Sequence, residues 1–172
     1  IYTDKIRGID PVSRFKKALD HILKNHNDAD LFVITGDITD LGDKESYQLF
    51  INVTKEINLK VGKLGTFIFP IGYYFYTGSA KKNIDKRIKR HLSKKKNLHW
   101  HIDYLLNNDA VHIIYINKSE MTECSLNKKT KGTIIIDGFG SSDCNLFCKS
   151  HLKYEENIAL AELTANALGG YK

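Results

Sequence analysis

The sequence predicts an α/β domain of the α+β kind: a small antiparallel three-stranded or larger mixed sheet flanked by helices, with a helix–strand appendage in front. Three observations carry this expectation. Segments with apolar residues at helical spacing alternate with segments rich in β-branched and aromatic residues. The strand-like segments are punctuated by glycine and one proline, as hairpin turns require. And 172 residues, 42% of them hydrophobic, suffice for one domain with an ordinary core or two very small ones.

Residues 11 to 26, "PVSRFKKALDHILKNH", set Val12, Phe15, Leu19, Ile22 and Leu23 on one face, with Pro11 at a favourable first-turn position, which predicts a helix. "ADLFVITGDITDLGD" carries an apolar run, Leu31 to Ile34, into a Gly-Asp turn and reads as a buried strand ending in carboxylates. "SYQLFINVTKEINLKVGKLGTFIFPIGYYFYTGSA" reads as two or three antiparallel strands. Ile84, Ile88 and Leu92, at i, i+4 and i+8, then mark a helix with one apolar stripe and a basic remainder. "LHWHIDYLLNN" predicts a second helix or helical turn, "AVHIIYIN" a strand, "ECSLNKKTKG" a short helix, and "GTIIIDGFGSSDC" a strand running into a glycine-rich loop. "EENIALAELTANALGG" is alanine-rich and predicts a terminal packing helix that stops at Gly169 and Gly170. These changes of texture divide the chain at residues 1–45, 46–155 and 156–172.

Formal charge is +6, and nine of the 26 basic residues fall between Lys81 and Lys96. Such clustering suits a polyanionic partner, because each neutralised phosphate releases counterions; a lysine-rich solvated surface has the same composition. No apolar run approaches the roughly 18 to 20 residues of a membrane span, and "IYTDKIRGID" lacks a signal-peptide core. The expectation is a cytoplasmic protein with no membrane partner. Cys124, Cys144 and Cys148 are an odd, sparse set, which predicts reduced thiols rather than a disulfide scaffold.

Within the basic helix Arg87 and His91 are four apart and share a face next to Tyr76 and Gly78. A guanidinium beside a phenol and an imidazole suits a phosphodiester, where arginine offsets phosphorane charge and the other two orient or activate water. The alternative is a pair that simply points to solvent.

The order of motifs from Ser46 onward resembles the GIY-YIG nucleases, and more closely a branch of short bacterial and archaeal proteins related to them. The resemblance rests on Tyr47 in "SYQLF", on Tyr76, Thr77 and Gly78 in "YTG", and on Arg87 and His91 in "DKRIKRH". The phrases "VGKLG", "FPIGYYFYTGSA", "LHWHIDYLL" and "GFGSSDC" followed by "SHL" extend it over about residues 46 to 155. It implies a GIY-YIG-like fold and an Mg²⁺-dependent endonuclease, with Mn²⁺ as an alternative ion, acting on nucleic acid, DNA rather than RNA. Glu123, followed by Leu126, is the implied metal ligand, with Glu120 as a competitor. Tyr47 acts as the general base for water or helps position it, Arg87 and the metal offset phosphate charge, and Tyr76 and His91 hold the network. The resemblance also favours His99 as a site-lining residue. Lys81, Lys82, Lys86, Lys89, Arg90, Lys94, Lys95 and Lys96 would hold the nucleic-acid backbone.

His101 and Asp103 read as a hydrogen-bonded pair that fixes their segment, and Trp100 as a packing residue rather than a base-stacking one. Cys144, Cys148 and His151 have donor atoms suited to zinc, with Cys124 elsewhere in the sequence. The Cys-x-x-x-Cys spacing is not that of a zinc knuckle and no second close pair exists, so the sequence argues against zinc and for buried free thiols. The N-terminal third resembles the calcineurin-like metallophosphoesterases through "DPVSRFKKALDHI" and "DADLFVITGDITDLGD", which implies metal contacts for Asp37 and Asp40. That family's Asp-x-His and Gly-Asn-His-Asp ligands are missing, so the fragment implies no complete dimetal site. A binding module that keeps the fold without turnover and a phosphoesterase centred on Asp37 remain alternative readings.

Overall fold

The computed structural model describes residues 11–25 and 45–169. The chain divides into two units, residues 1–43 and 44–172. In the first, helix α1 (Pro11–Asn25) matches the predicted segment, and Asn25 Nδ2 donates back to the His21 carbonyl at 2.8 Å. The predicted strand at 31–34, with Asp37 and Asp40 after it, lies outside the described residues.

In the second unit the aromatic stretch forms four strands rather than two or three: β1 (Glu45–Val53), β2 (Ile57–Val61), β3 (Gly65–Phe69) and β4 (Gly72–Ala80). Two of them are only five residues long and pair with each other as a separate hairpin. Gly62 makes that reversal with φ at +50°, a conformation that costs little without a Cβ. There follow α2 (Ile84–Leu92), α3 (His101–Leu106), β5 (Val111–Ser119), α4 (Glu123–Lys129), β6 (Leu152–Glu155) and α5 (Ile158–Ala167).

The main sheet has the order β5-β1-β4-β6, and every pairing is antiparallel, so it is not mixed. Its central strands are covered on both faces. Tyr47, Leu49, Ile51 and Val53 of β1, with Tyr74 and Tyr76 of β4, meet Ile84 and Ile88 of α2 and Ile102 and Leu105 of α3. On the opposite face Phe50 and Phe75 stack with centroids 4.9 Å apart and are capped by Ala161 and Ala165 of α5. Alanines let the helix approach those flat rings closely, which accounts for the composition of the tail. Cores on both faces also explain why β1 is buried almost throughout, with polar Ser46 and Gln48 included, although its sequence alternates.

The segment "GTIIIDGFGSSDC" does not form a strand. Thr133 makes an isolated bridge to Tyr154, Ile134 and Ile135 are exposed, and only Ile136 of the three isoleucines is buried. The edge of β4 from Tyr73 to Tyr76 is taken by β6 instead, whose four residues are too few for a periodicity to register. Among the described residues no helix is long and apolar enough to cross a membrane.

Candidate active site

β6 accompanies β4 only as far as the Tyr76–Leu152 pair, and the Thr77 N–H then bonds the His151 carbonyl at 2.9 Å. No described strand continues along Gly78–Ala80 on that side. A cleft of about 360 Å³ opens there, lined by Tyr76 and Ser79 of β4, Arg87 of α2 and Glu123 of α4. His99, Trp100 and His101 form one wall, and Gly140, Ser142 and Asp143 come from the long loop before β6.

Ser79 is the joint between the two charged side chains. Its hydroxyl donates to Glu123 Oε2 at 2.7 Å, and its carbonyl accepts from Arg87 Nη1 at 2.8 Å. The strand end therefore fixes a cation and an anion within one residue's reach. Thr122 caps α4 by accepting from the Ser125 N–H, which places Glu123 in the first turn, where a carboxylate is favoured by the helix dipole. The Arg87 guanidinium also lies over the Trp100 ring, 4.5 Å from its centroid, and Arg90 lies against the same ring at 4.4 Å. Each such contact is worth about 0.5–1 kcal/mol at exposed sites and more when desolvated. Trp100 thus packs on the core, as expected, and also presents itself to the cleft.

Beneath the cleft lies a second layer. Tyr47 is opposite Gly78 in the β1–β4 register, and its ring lies across that glycine. A Cβ at Gly78 would come within 2.5 Å of the Tyr47 hydroxyl oxygen and 2.6 Å of Cζ. The glycine of "YTG" is thus required by close approach rather than by an unusual φ. The Tyr47 hydroxyl lies 2.7 Å from His91 Nε2. On the other side of that ring Nδ1 faces Asp103 Oδ1 at 3.6 Å, beyond hydrogen-bond length but attractive for an N–H. This assigns the proton to Nδ1 and leaves Nε2 to accept from Tyr47. Burial lifts the Tyr47 phenol well above its ordinary value, with Glu123 and Asp103 adding to the effect against the pull of Arg87. Burial also lowers His91, although Asp103 acts the other way. Near neutral pH the layer therefore holds a protonated phenol and a neutral imidazole.

Asp103 anchors this layer. Its carboxylate is fully buried and accepts from Arg90 Nη1 at 2.8 and 3.0 Å and from the backbone N–H groups of His99 and Trp100 at 3.0 Å each. Burial alone would raise its pKa, yet contacts with His91, Arg90 and the two N–H groups hold it well below the usual carboxylate range. The expected His101–Asp103 pair does not form, because side chains two apart on a helix point in opposite directions. His101 Nδ1 instead accepts from the Gly140 N–H at 3.0 Å and ties α3 to the long loop. Burial lowers its pKa, so near neutral pH its Nε2 carries the proton.

Residues 46–171 match a family model described as "Domain of unknown function DUF123". The chain belongs to this family. No curated protein and no solved structure matches the chain. All of the cleft and the layer beneath it fall within the DUF123 domain, as does α5, which packs on its sheet.

Of the residues singled out in the sequence, Tyr76, Arg87, His99 and Glu123 share the cleft wall. Tyr47 and His91 sit one layer behind it, and Glu120 is exposed and does not line it. The basic run separates into two groups. Lys81, Lys82, Lys86, Lys89 and Lys95 are exposed. Arg90, Lys94 and Lys96 hold the loop after α2: Arg90 Nη2 donates to the Asn97 carbonyl, Lys94 to Leu106 and Asn108, and Lys96 to His91 and Arg90. Sequence reasoning missed Ser79, whose role depends on a backbone carbonyl, and the Arg90–Asp103 pair, which joins residues 13 apart on different helices. It also separated Cys124 from the other cysteines. In the structure Cys124, Cys144 and Cys148 are half-buried rather than buried, and they come together with His151.

Proposed function

We propose that the DUF123 domain is a metal-dependent phosphodiester hydrolase of the GIY-YIG type that acts on nucleic acid, DNA in preference to RNA. The observation that carries this reading is the joint at Ser79, which holds the Arg87 guanidinium and the Glu123 carboxylate on one open strand end. The exposed lysines of α2 and its flanks lie on either side of Arg87 in the chain and give a phosphate backbone a cationic surface.

The donor set fits magnesium. Glu123 is half-exposed in the cleft wall, Asp143 lines the same cleft, and the polar space has room for the waters that Mg²⁺ retains. Such an ion, bound through Glu123, would supply Lewis-acid stabilisation of phosphate charge. The chain's own residues supply the rest. Arg87 keeps N–H donors beyond the one given to Ser79 and offsets charge on the scissile phosphate. The Tyr76 phenol, which burial keeps protonated, offers a donor that orients a phosphate oxygen or water. Tyr47 acts through this wall rather than on the substrate. Its hydroxyl bonds His91, whose orientation Asp103 sets, and also interacts with the Arg87 guanidinium, so the three residues help position Arg87 and the strand end.

The test is cleavage of a panel of duplex, branched and single-stranded DNA with Mg²⁺ or Mn²⁺. Arg87→Ala is expected to lower cleavage by about 10²–10³-fold, the usual cost of removing one charge-stabilising donor, with the circular dichroism spectrum unchanged. Undiminished cleavage in the variant, or salt-sensitive binding with no cleavage by the wild-type chain, would overturn the assignment.

A further inference from the structure

Between α4 and β6, residues 130–151 contain neither helix nor strand, yet Ile136, Phe139, Ser150 and His151 are buried. A loop of this length inside a compact domain is uncommon unless something ties it down. Three cysteines and a histidine meet at its ends: Cys124 from the first turn of α4, Cys144 and Cys148 from the loop, and His151 at the entry to β6. One ligand atom from each lies within 4.8 Å of the others, and Cys124 Sγ and Cys144 Sγ are 3.4 Å apart. Four donors around zinc, at about 2.3 Å for sulfur and 2.0 Å for nitrogen, are about 3.5–3.8 Å from one another. The cluster needs only small adjustments to reach that geometry.

A second observation is independent of the thiols. The His151 side chain is only 2% exposed, and neither of its ring nitrogens makes a hydrogen bond of full geometry. A buried imidazole nitrogen left without a partner is costly, because it has given up water for nothing. Of the two, Nδ1 faces Glu123 Oε1 at 3.3 Å. An imidazole that gives one nitrogen to a carboxylate and turns the other towards sulfur ligands is the usual arrangement of a metal-bound histidine.

We propose that Cys124, Cys144, Cys148 and His151, through Nε2, bind one structural zinc ion. The set has four protein ligands with three sulfurs, which suits a closed tetrahedral zinc site rather than a catalytic one with an open position. As the thiols bind they release their protons to solvent, and the metal takes their place. The ion joins α4, the long loop and β6, and it acts on the cleft through two covalent neighbours and one contact. Cys124 follows Glu123 directly, Cys144 follows Asp143, and His151 faces the Glu123 carboxylate. The zinc site stands whether or not the cleft hydrolyses phosphodiesters.

The 172-residue chain expressed with zinc and purified without chelators is expected to carry about one zinc per chain by atomic emission. Cobalt exchanged into the site should show the intense visible absorption of tetrahedral thiolate-bound cobalt, and Cys148→Ser should lose both signals. Because a ligand variant can fail to fold, the wild-type chain provides a second measurement: titration of its thiols with an organomercurial should release zinc to a coloured chelator in step with thiol capture. The site is refuted if the protein takes up no zinc while its thiols react freely, if Cys124 and Cys144 are isolated as a disulfide without metal, or if Cys148→Ser keeps its full zinc.

Discussion

Two carboxylates near the cleft, Asp103 on α3 and Glu123 on α4, both act on the Tyr47 phenol, yet their surroundings are opposite. Asp103 is fully buried and receives three N–H donors, with Lys96 and His91 nearby. The Glu123 side chain is 28% exposed and lines the cleft, where its partners include a serine hydroxyl and an imidazole. A carboxylate surrounded by protein donors has its charge consumed by the fold. One that reaches solvent through a polar cleft can interact with something that enters. The difference separates a residue that builds the site from one that can serve it.

The largest effects should come from breaking that contrast. Asp103→Ala removes the acceptor for Arg90 and for two backbone N–H groups, and should cost about 3–5 kcal/mol, towards the lower end because Arg90 keeps partial exposure. Glu123→Gln keeps an acceptor for Ser79 and should cost under about 1 kcal/mol while abolishing metal-dependent cleavage. Urea denaturation of both variants tests the contrast, and equal destabilisation would remove it.

Next in size is the layer between the two carboxylates. In Gly78→Ala the new methyl group would meet the Tyr47 ring, which cannot swing aside without releasing His91. A loss of about 1–3 kcal/mol is expected, as for other overpacked cores. A companion Tyr47→Phe, Gly78→Ala variant should recover little, because the ring carbons are also too close.

The smallest effect is one of pH. His91 and His101 have folded-state values lowered by burial, so the unfolded chain binds protons more readily than the folded one. Their contribution to stability is complete above the unfolded value of about 6.5 and is lost as pH falls below it. Through these two groups the melting temperature should fall between about pH 7 and pH 5. His91→Gln should melt lower overall but with a shallower dependence over that range. A variant slope as steep as the wild type's would show that His91 is not held neutral.

Much of the architecture was legible because short-range rules decide it. α1 and α2 follow from apolar residues at helical spacing, and α5 from its alanine-rich run before Gly169. The strand content of residues 45–80 follows from β-branched and aromatic residues. Strand number and the edge partner were not legible. A five-residue hairpin and a four-residue edge strand carry too little periodicity, and the three isoleucines after Gly132 imitate a strand without having an edge to join. At the site, the positions of Tyr76, Arg87, His99 and Glu123 were readable from ordered motifs, whereas the depth of Tyr47 behind the cleft was not.

The sequence by itself determined the residue types available for chemistry and the helices that present them, whereas the need for a glycine at position 78 came from the ring that the fold lays across it. Only the tertiary structure decided which charges are spent on the fold. Arg90 and Asp103, Arg87 and the Ser79 carbonyl, and Cys124 with Cys144 some 20 residues later all meet across different elements. Contacts of this kind leave no local period in a sequence, because chain folding brings the partners together and their spacing along the chain does not.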